Sequence, residues 1–196
     1  VAVTDYLAKG YLPEAIINFV ALLGWNPGTD REVFSHEELP EHFDLAKVNK
    51  SGAVFNVEKL DWLNSQYLRT ITQEQYLSLT HPFVQELTDD AAFLDRALLL
   101  VRDRVVKIPD VVSLTEYLFK PSFDFSTVSL TWKTQIPAEA IERIEAVRTV
   151  LDQMPDDEIG SISNVERRLK SLIAEKGWGN GDTLWPVRVA LSGQDK

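Results

Sequence analysis

The residues in this chain best suited to chemistry are its arginines and tryptophans. Arg96, Arg102, Arg104 and Lys107 lie within a dozen residues, at the end of the longest apolar stripe. Arg167, Arg168 and Lys170 crowd a second segment, and Arg188 follows Trp185-Pro186. Guanidinium planes and aromatic rings stack on unpaired bases and contact base edges, which is how single-stranded RNA loops are read. The same cations also solvate helix faces and complement helix C-termini. Spacing alone leaves both readings open. Five tryptophans allow stacking, but most tryptophans belong to cores, and Trp25 is expected to pack.

Other chemistries find less support. There are no cysteines, which excludes a disulfide scaffold, a thiolate metal site and a cysteine nucleophile, and fits a reducing compartment. His36, His42 and His81 lack the spacing of a helical metal pair. His81 precedes Pro82 and reads as a cap or surface residue. Asp156-Asp157-Glu158, after Pro155, reads as a solvated loop rather than a metal site. Lys50-Ser51-Gly52 lacks the upstream glycines and the strand of a phosphate-binding loop. No motif supports Ser-His-Asp catalysis. The chain is therefore expected to hold no self-sufficient active site, no metal and no cofactor of its own.

The elements that would position these residues read as helices. Pro13 suits a first helical position, with Ala15, Ile16, Phe19, Val20, Leu22 and Leu23 at helical spacing and Gly24 as a stop. Asn26-Pro27-Gly28 is a turn. Ser35-His36-Glu37-Glu38 has capping-box spacing and opens a short helix limited by Pro40. Lys47 to Phe55 reads as a loop. Asn56 caps a helix whose apolar face is Val57, Leu60, Leu63, Tyr67 and Leu68, with Trp62 offset. Thr72-Gln73-Glu74-Gln75 and Ser113-Leu114-Thr115-Glu116 are further capping boxes. His81-Pro82 is expected to open another short helix, and Asp89 and Asp90 to sit at the N-terminus of the next. Lys120-Pro121 ends the helix begun at Ser113. From Ser122 to Gln135 helix signals are scarce, and Phe123, Phe125 and Trp132 are expected to pack locally. Pro137 starts a long helix with Ile141, Ile144, Val147 and Leu151 inside, closed near Pro155. Asn164 to Lys176 is a helix capped by Gly177, and Asp182 caps a last helix carrying Val187, Val189, Ala190 and Leu191. The fold class is all-α, built of short antiparallel helices with breaks near Thr70 and Ser122.

The 196 residues carry a net charge of −10, which by itself argues against indiscriminate binding to nucleic acid or anionic membrane. Locally positive patches on such a body would bind specifically. No apolar run approaches the ~20 residues of a membrane span. Without an initiator Met, the chain reads as a piece of a larger protein whose remainder carries the chemistry.

Several segments together carry a family resemblance. Gly10-Tyr11-Leu12-Pro13-Glu14-Ala15, followed by Leu22-Leu23-Gly24-Trp25, resembles the stretch after the lysine–serine signature loop of class I, bacterial-type glutamyl-tRNA synthetases. Lys50-Ser51-Gly52-Ala53-Val54-Phe55, Lys59-Leu60-Asp61-Trp62-Leu63-Asn64 and Tyr67-Leu68-Arg69 are similar to that family's stem-contact region. Trp185-Pro186-Val187-Arg188-Val189-Ala190-Leu191-Ser192-Gly193 is similar to the motif of its distal anticodon-binding helical domain. The segments occur in the family's order and cover essentially the whole chain.

The resemblance implies three modules: residues 1–71 as the end of the stem-contact domain, 72–121 as a first anticodon-binding helical bundle, and 122–196 as a second, C-terminally incomplete one. Arg104 falls where discriminating members have an arginine that reads the third anticodon base, with Arg102 the alternative two residues away. Arg188 matches the motif arginine that contacts anticodon nucleotides, beside Trp185. Lys59, Trp62, Arg69 and Lys50 match positions facing the inner side of the tRNA stem. The parent would use ATP and Mg to join glutamate to its tRNA. Its nucleotide-binding fold and signature loops lie outside this chain, so the segment should bind glutamate-accepting tRNA without aminoacylating it. A cytoplasmic monomer without membrane or DNA partners is expected. The competing reading is a helical protein–protein interaction module without intrinsic RNA affinity, its acidic surface and exposed aromatics docking a partner.

Overall fold

The computed structural model describes residues 2–48, 52, 54–125 and 129–194. The described residues form helices and loops with no strand; the only β-type pairing among them is a bridge between Trp25 and Val48. The chain divides into two compact units, Val1–Phe119 and Lys120–Lys196.

The first unit contains α1 (Val3–Ala8), α2 (Pro13–Gly24), α3 (Glu38–His42), α4 (Val57–Thr70), α5 (Gln73–Val84), α6 (Ala91–Val101) and α7 (Asp110–Thr115). Local signals start most of them. Pro13 sits at the first turn of α2. The Asn56 carboxamide accepts the Lys59 N–H at 3.0 Å, and Thr72 and Gln75 form a reciprocal capping box on α5. Asp90 accepts the Phe93 N–H at the start of α6.

One core joins the two ends of this unit. Leu12, Ala15, Tyr67 and Leu68 from α2 and α4 pack with Tyr76, Val84, Leu94, Leu98, Val101, Val105, Ile108 and Val111 from α5 to α7. Each large side chain among them contributes about 1.5–3 kcal/mol of burial. The 71/72 division read from sequence therefore falls inside a continuous core. Two buried asparagines tie the irregular segments to it. Asn64 accepts the Leu12 N–H at 2.8 Å and donates to the Val106 carbonyl at 2.5 Å. Asn18 accepts the Phe34 N–H at 2.8 Å and donates to the Glu32 carbonyl at 2.9 Å. Gly10, at φ 88°, accepts the Ile108 N–H at 3.2 Å; a Cβ there would lie 2.3 Å from Pro109 Cδ. Only glycine permits that approach.

The second unit contains α8 (Pro137–Asp152), α9 (Asp156–Ile159), α10 (Ile162–Lys176) and α11 (Asn180–Ser192). Ala140, Val147, Met154, Ile173, Pro186 and Val189 are its buried apolar residues, and α8 packs on α10 and α11. Gly177, at φ 66°, ends α10. Pro186 lies inside α11, where it lacks the N–H that would bond the Asp182 carbonyl. The Gln135 side chain fills that vacancy, donating to the Asp182 carbonyl at 2.8 Å.

Several sequence expectations need correction. His81-Pro82 opens no new helix: α5 runs through it to Val84, because Tyr76, Thr80 and Val84 bury one continuous face and Pro82 forfeits a single bond. Ser113 caps nothing. It lies inside α7 and bonds back to the Asp110 carbonyl, while Asp110 accepts the Lys107 N–H and sets the helix start. Asp182 is within the first turn of α11, whose N-cap is Gly179. Pro40 lies inside α3, and α10 begins at Ile162, two residues before Asn164. Val57 and Ile141 are exposed rather than internal. Ile141 lies at the edge of the apolar arc of α8, and Val57 is the first residue of α4, where the helix end leaves it open to solvent.

Candidate nucleic-acid interface

In the first unit the sequence-predicted arginines converge on one turn. After α6 the chain makes a short 3-10 turn, Arg102–Arg104. Arg102 folds back onto the C-terminus of α4. Its Nε and Nη2 donate to the Leu68 carbonyl at 3.2 and 3.1 Å, and Nη2 also reaches the carbonyls of Arg69 and Ile71. Its guanidinium lies 5.1 Å from the Tyr76 ring centroid. These carbonyls have no partner within the helix and carry the negative end of its dipole, so a guanidinium is suited to cap them. Arg69 crosses in the opposite direction, donating from Nη2 to the Asp103 carbonyl at 2.6 Å. The turn is thus held from both sides. Between these two anchors Arg104 is exposed, its guanidinium without an ion pair or hydrogen bond among the described residues.

The sequence patterning of α4 explains a second group. Lys59, Trp62 and Arg69 fall within about 80° around the helix and about 15 Å along it, beside the buried arc of Leu60, Leu63, Tyr67 and Leu68. Lys59 pairs with Glu32, and its ammonium lies 4.4 Å from the Trp62 ring centroid. Trp62 is 41% exposed. Lys107 lies 3.6 Å from Asp61, whose carboxylate also accepts the Tyr11 hydroxyl; burial and that carboxylate push the Tyr11 phenol upward. A cleft of about 670 Å³ beside Lys59 is lined by Asp30 and Glu32, so its charge does not suit a polyanion. Lys50 lies outside the described residues.

In the second unit α11 carries the candidates. Trp185 and Arg188 are one turn apart, and Arg188 is exposed without a side-chain partner among the described residues. The Trp185 indole N–H donates to the Ser129 carbonyl at 3.1 Å. Its ring lies 4.8 Å from that of Trp132, at an interplanar angle of 46°. Trp132 also lies against Gly181, where a Cβ would come within 2.5 Å of the indole nitrogen. Lys133 is exposed, its ammonium 5.3 Å from the Trp132 ring centroid. From sequence alone Trp132 is expected to pack locally, and Lys133 carries no distinguishing signal of its own. The available signal was a tryptophan–lysine pair upstream of a Gly-x-x-x-Trp spacing.

The remaining cations are mostly engaged. Arg168 pairs with Glu158 at 3.0 Å, Lys170 with Glu166 at 2.6 Å, and Arg167 bonds Asn164 at 3.0 Å. Arg96 lies over Phe93. Among the described residues no group of three or more histidines and carboxylates is placed to hold a metal ion, and no helix is long and apolar enough to cross a membrane. The arrangement offers guanidinium forks, ammonium groups and partly exposed indoles, which suit phosphates, base edges and base faces.

Comparison with known proteins agrees with that chemistry. The chain is 34% identical to the glutamate–tRNA ligase of Clostridium novyi and 32% identical to that of Lachnoclostridium phytofermentans, each over 97% of its length. It spans only 39% and 38% of those relatives. Among solved structures it resembles a glutamate tRNA ligase from Elizabethkingia meningosepticum, with a TM-score of 0.70 and 30% identity. It likewise resembles the glutamate-tRNA synthetase of Elizabethkingia anophelis, with a TM-score of 0.68 and 28% identity. Each covers 97% of this chain, which covers 37% of each of those chains. Residues 1–62 match the catalytic-domain family of class I tRNA synthetases for Glu and Gln, and residues 74–196 match the anticodon binding domain. With well over half its length in that second match, the chain belongs to the anticodon-binding domain family, and its relatives are glutamate–tRNA ligases.

Proposed function

We propose that this chain is the tRNA-holding, anticodon-reading part of a glutamate–tRNA ligase. The observation that carries the reading is the Arg102–Arg104 turn, locked by Arg102 and Arg69, with Arg104 exposed and without a side-chain partner among the described residues. A fixed turn presenting one unpaired guanidinium is what reading a single splayed base requires, since preorganisation lowers the ordering cost of binding. Arg104 reads an anticodon base. Arg102 and Arg69 hold the turn, and Arg69 also faces the inner side of the tRNA with Lys59, Trp62 and Lys50. Arg188 and Trp185 engage anticodon nucleotides from α11.

In this reading residues 1–71 end the stem-contact region, 72–121 form the first anticodon-binding bundle and 122–196 the second. The match of residues 1–62 to a synthetase catalytic-domain family supports joining the first segment to a catalytic region. The parent would use ATP and Mg to activate glutamate and transfer it to the tRNA 3' end. The present residues would orient the tRNA, with lysine and arginine contacts to phosphate setting register and Arg104 setting identity. The parent acts as a cytoplasmic monomer, with tRNA as its nucleic-acid partner rather than DNA.

A salt titration tests this. The chain is expected to bind glutamate tRNA with a steep dependence on salt and to prefer it over glutamine tRNA in competition. A well-folded chain that binds neither tRNA at low salt contradicts the proposal.

A further inference from the structure

The linker ahead of α8 does more than connect. Ser129 to Gln135 lies pinned along α11: Ser129 accepts the Trp185 indole N–H, Gln135 bonds the Asp182 carbonyl, and Trp132 is wedged between the Gly181 backbone and the Trp185 ring. This docking holds the residue at the linker's tip, Lys133, in the left-handed region at φ 51°. It is the only non-glycine residue with positive φ among the described residues. A lysine there is strained by its Cβ, and glycine would be the relaxed choice. The side chain makes no compensating ion pair among the described residues; its ammonium stands in the open beside Trp132. The result is a strip of cation, indole, indole and cation: Lys133, Trp132, Trp185 and Arg188.

We propose that Lys133 binds a phosphate of the unpaired RNA strand that engages Trp185 and Arg188, and that Trp132 is a positioning residue that fixes the Trp185 indole plane. This rests on the tRNA-binding reading above and adds to it a backbone contact from the linker. The RNA class follows from the pairing of aromatic faces with unpaired cations, which suits alternating bases and phosphates. A phosphate contact sets register and carries no base identity.

The experiment is tRNA binding by the whole chain at several salt concentrations, comparing wild type, Lys133→Gly, Lys133→Asn and Lys133→Arg. Glycine and asparagine both tolerate the left-handed backbone, so their thermal midpoints are expected to be unchanged or raised. Both are expected to weaken binding to glutamate and glutamine tRNA by the same factor. Their log–log salt slope should flatten by roughly 0.7, the value for one phosphate of a single strand. The arginine variant should keep the wild-type slope. Wild-type binding with an unchanged slope in the glycine and asparagine variants overturns the Lys133 contact alone. Absence of binding by wild type overturns the tRNA-binding reading and this contact with it.

Discussion

Arg102 and Arg104 are two residues apart and differ in everything that decides their roles. Arg102 spends its donors on carbonyls at the end of α4 and lies against Tyr76, while Arg104 spends none among the described residues. Hydrogen bonds from charged groups are worth about 1.5–3 kcal/mol each, and the bonds here share one guanidinium and lie partly in solvent. Arg102→Ala is therefore expected to cost about 2 kcal/mol in urea unfolding, and Arg104→Gln no more than about 0.5 kcal/mol. The opposite ranking would show that the turn is not held as described. The Lys59–Glu32 pair is partly exposed, so losing it should cost less than about 1 kcal/mol.

At the scale of elements, α5 shows how burial sets pH dependence. Burial raises the Tyr76 phenol to about 12 from its ordinary 10, and its hydroxyl donates to the Leu98 carbonyl at 3.1 Å. Tyr67, buried on α4, is also raised to about 12. The unfolded chain releases these protons first. Stability is therefore intact below pH 10 and falls as pH rises from 10 to about 12. Thermal midpoints measured across that range should drop less steeply in Tyr76→Phe than in wild type. An equal drop in both would remove Tyr76 from the account. On α11, Gln135→Ala leaves the carbonyl freed by Pro186 without its partner, and should cost the second unit about 1 kcal/mol in urea unfolding.

The elements were largely legible because their starts are local chemistry. Pro13, Asn56, Thr72 with Gln75, Asp90 and Pro137 each act within one turn of their own position. The misreadings have non-local causes. Ser113 has the spacing of a cap, but Asp110 with the Lys107 N–H had already set the start of α7. Pro82 reads as a boundary, yet burial of Tyr76 and Val84 carries the helix past it. In the candidate site, patterning places Lys59, Trp62 and Arg69 on one helix edge and Trp185 with Arg188 on another. It does not show that Arg102 turns inward, because the carbonyls it caps lie more than thirty residues earlier. Nor does it show Trp132 against Gly181, a contact across almost fifty residues.

Over the whole molecule, charge is unevenly divided. Residues 1–119 hold ten Lys and Arg against eighteen Asp and Glu, whereas residues 120–196 hold ten against twelve. A polyanion approaching such a chain is repelled at long range and captured only at local cation clusters. The exposed guanidinium and ammonium groups of Arg104, Lys133 and Arg188, without ion pairs among the described residues, are therefore more telling than the net charge of −10. Among these, Arg104 is the residue proposed to read an anticodon base. The measurement that tests this role most directly is competition between glutamate and glutamine tRNA, at one fixed salt concentration, for wild type and Arg104→Gln. The preference for glutamate tRNA is expected to shrink by about 1–3 kcal/mol, by analogy with a bidentate base contact in DNA. A variant that discriminates as well as wild type would contradict that role.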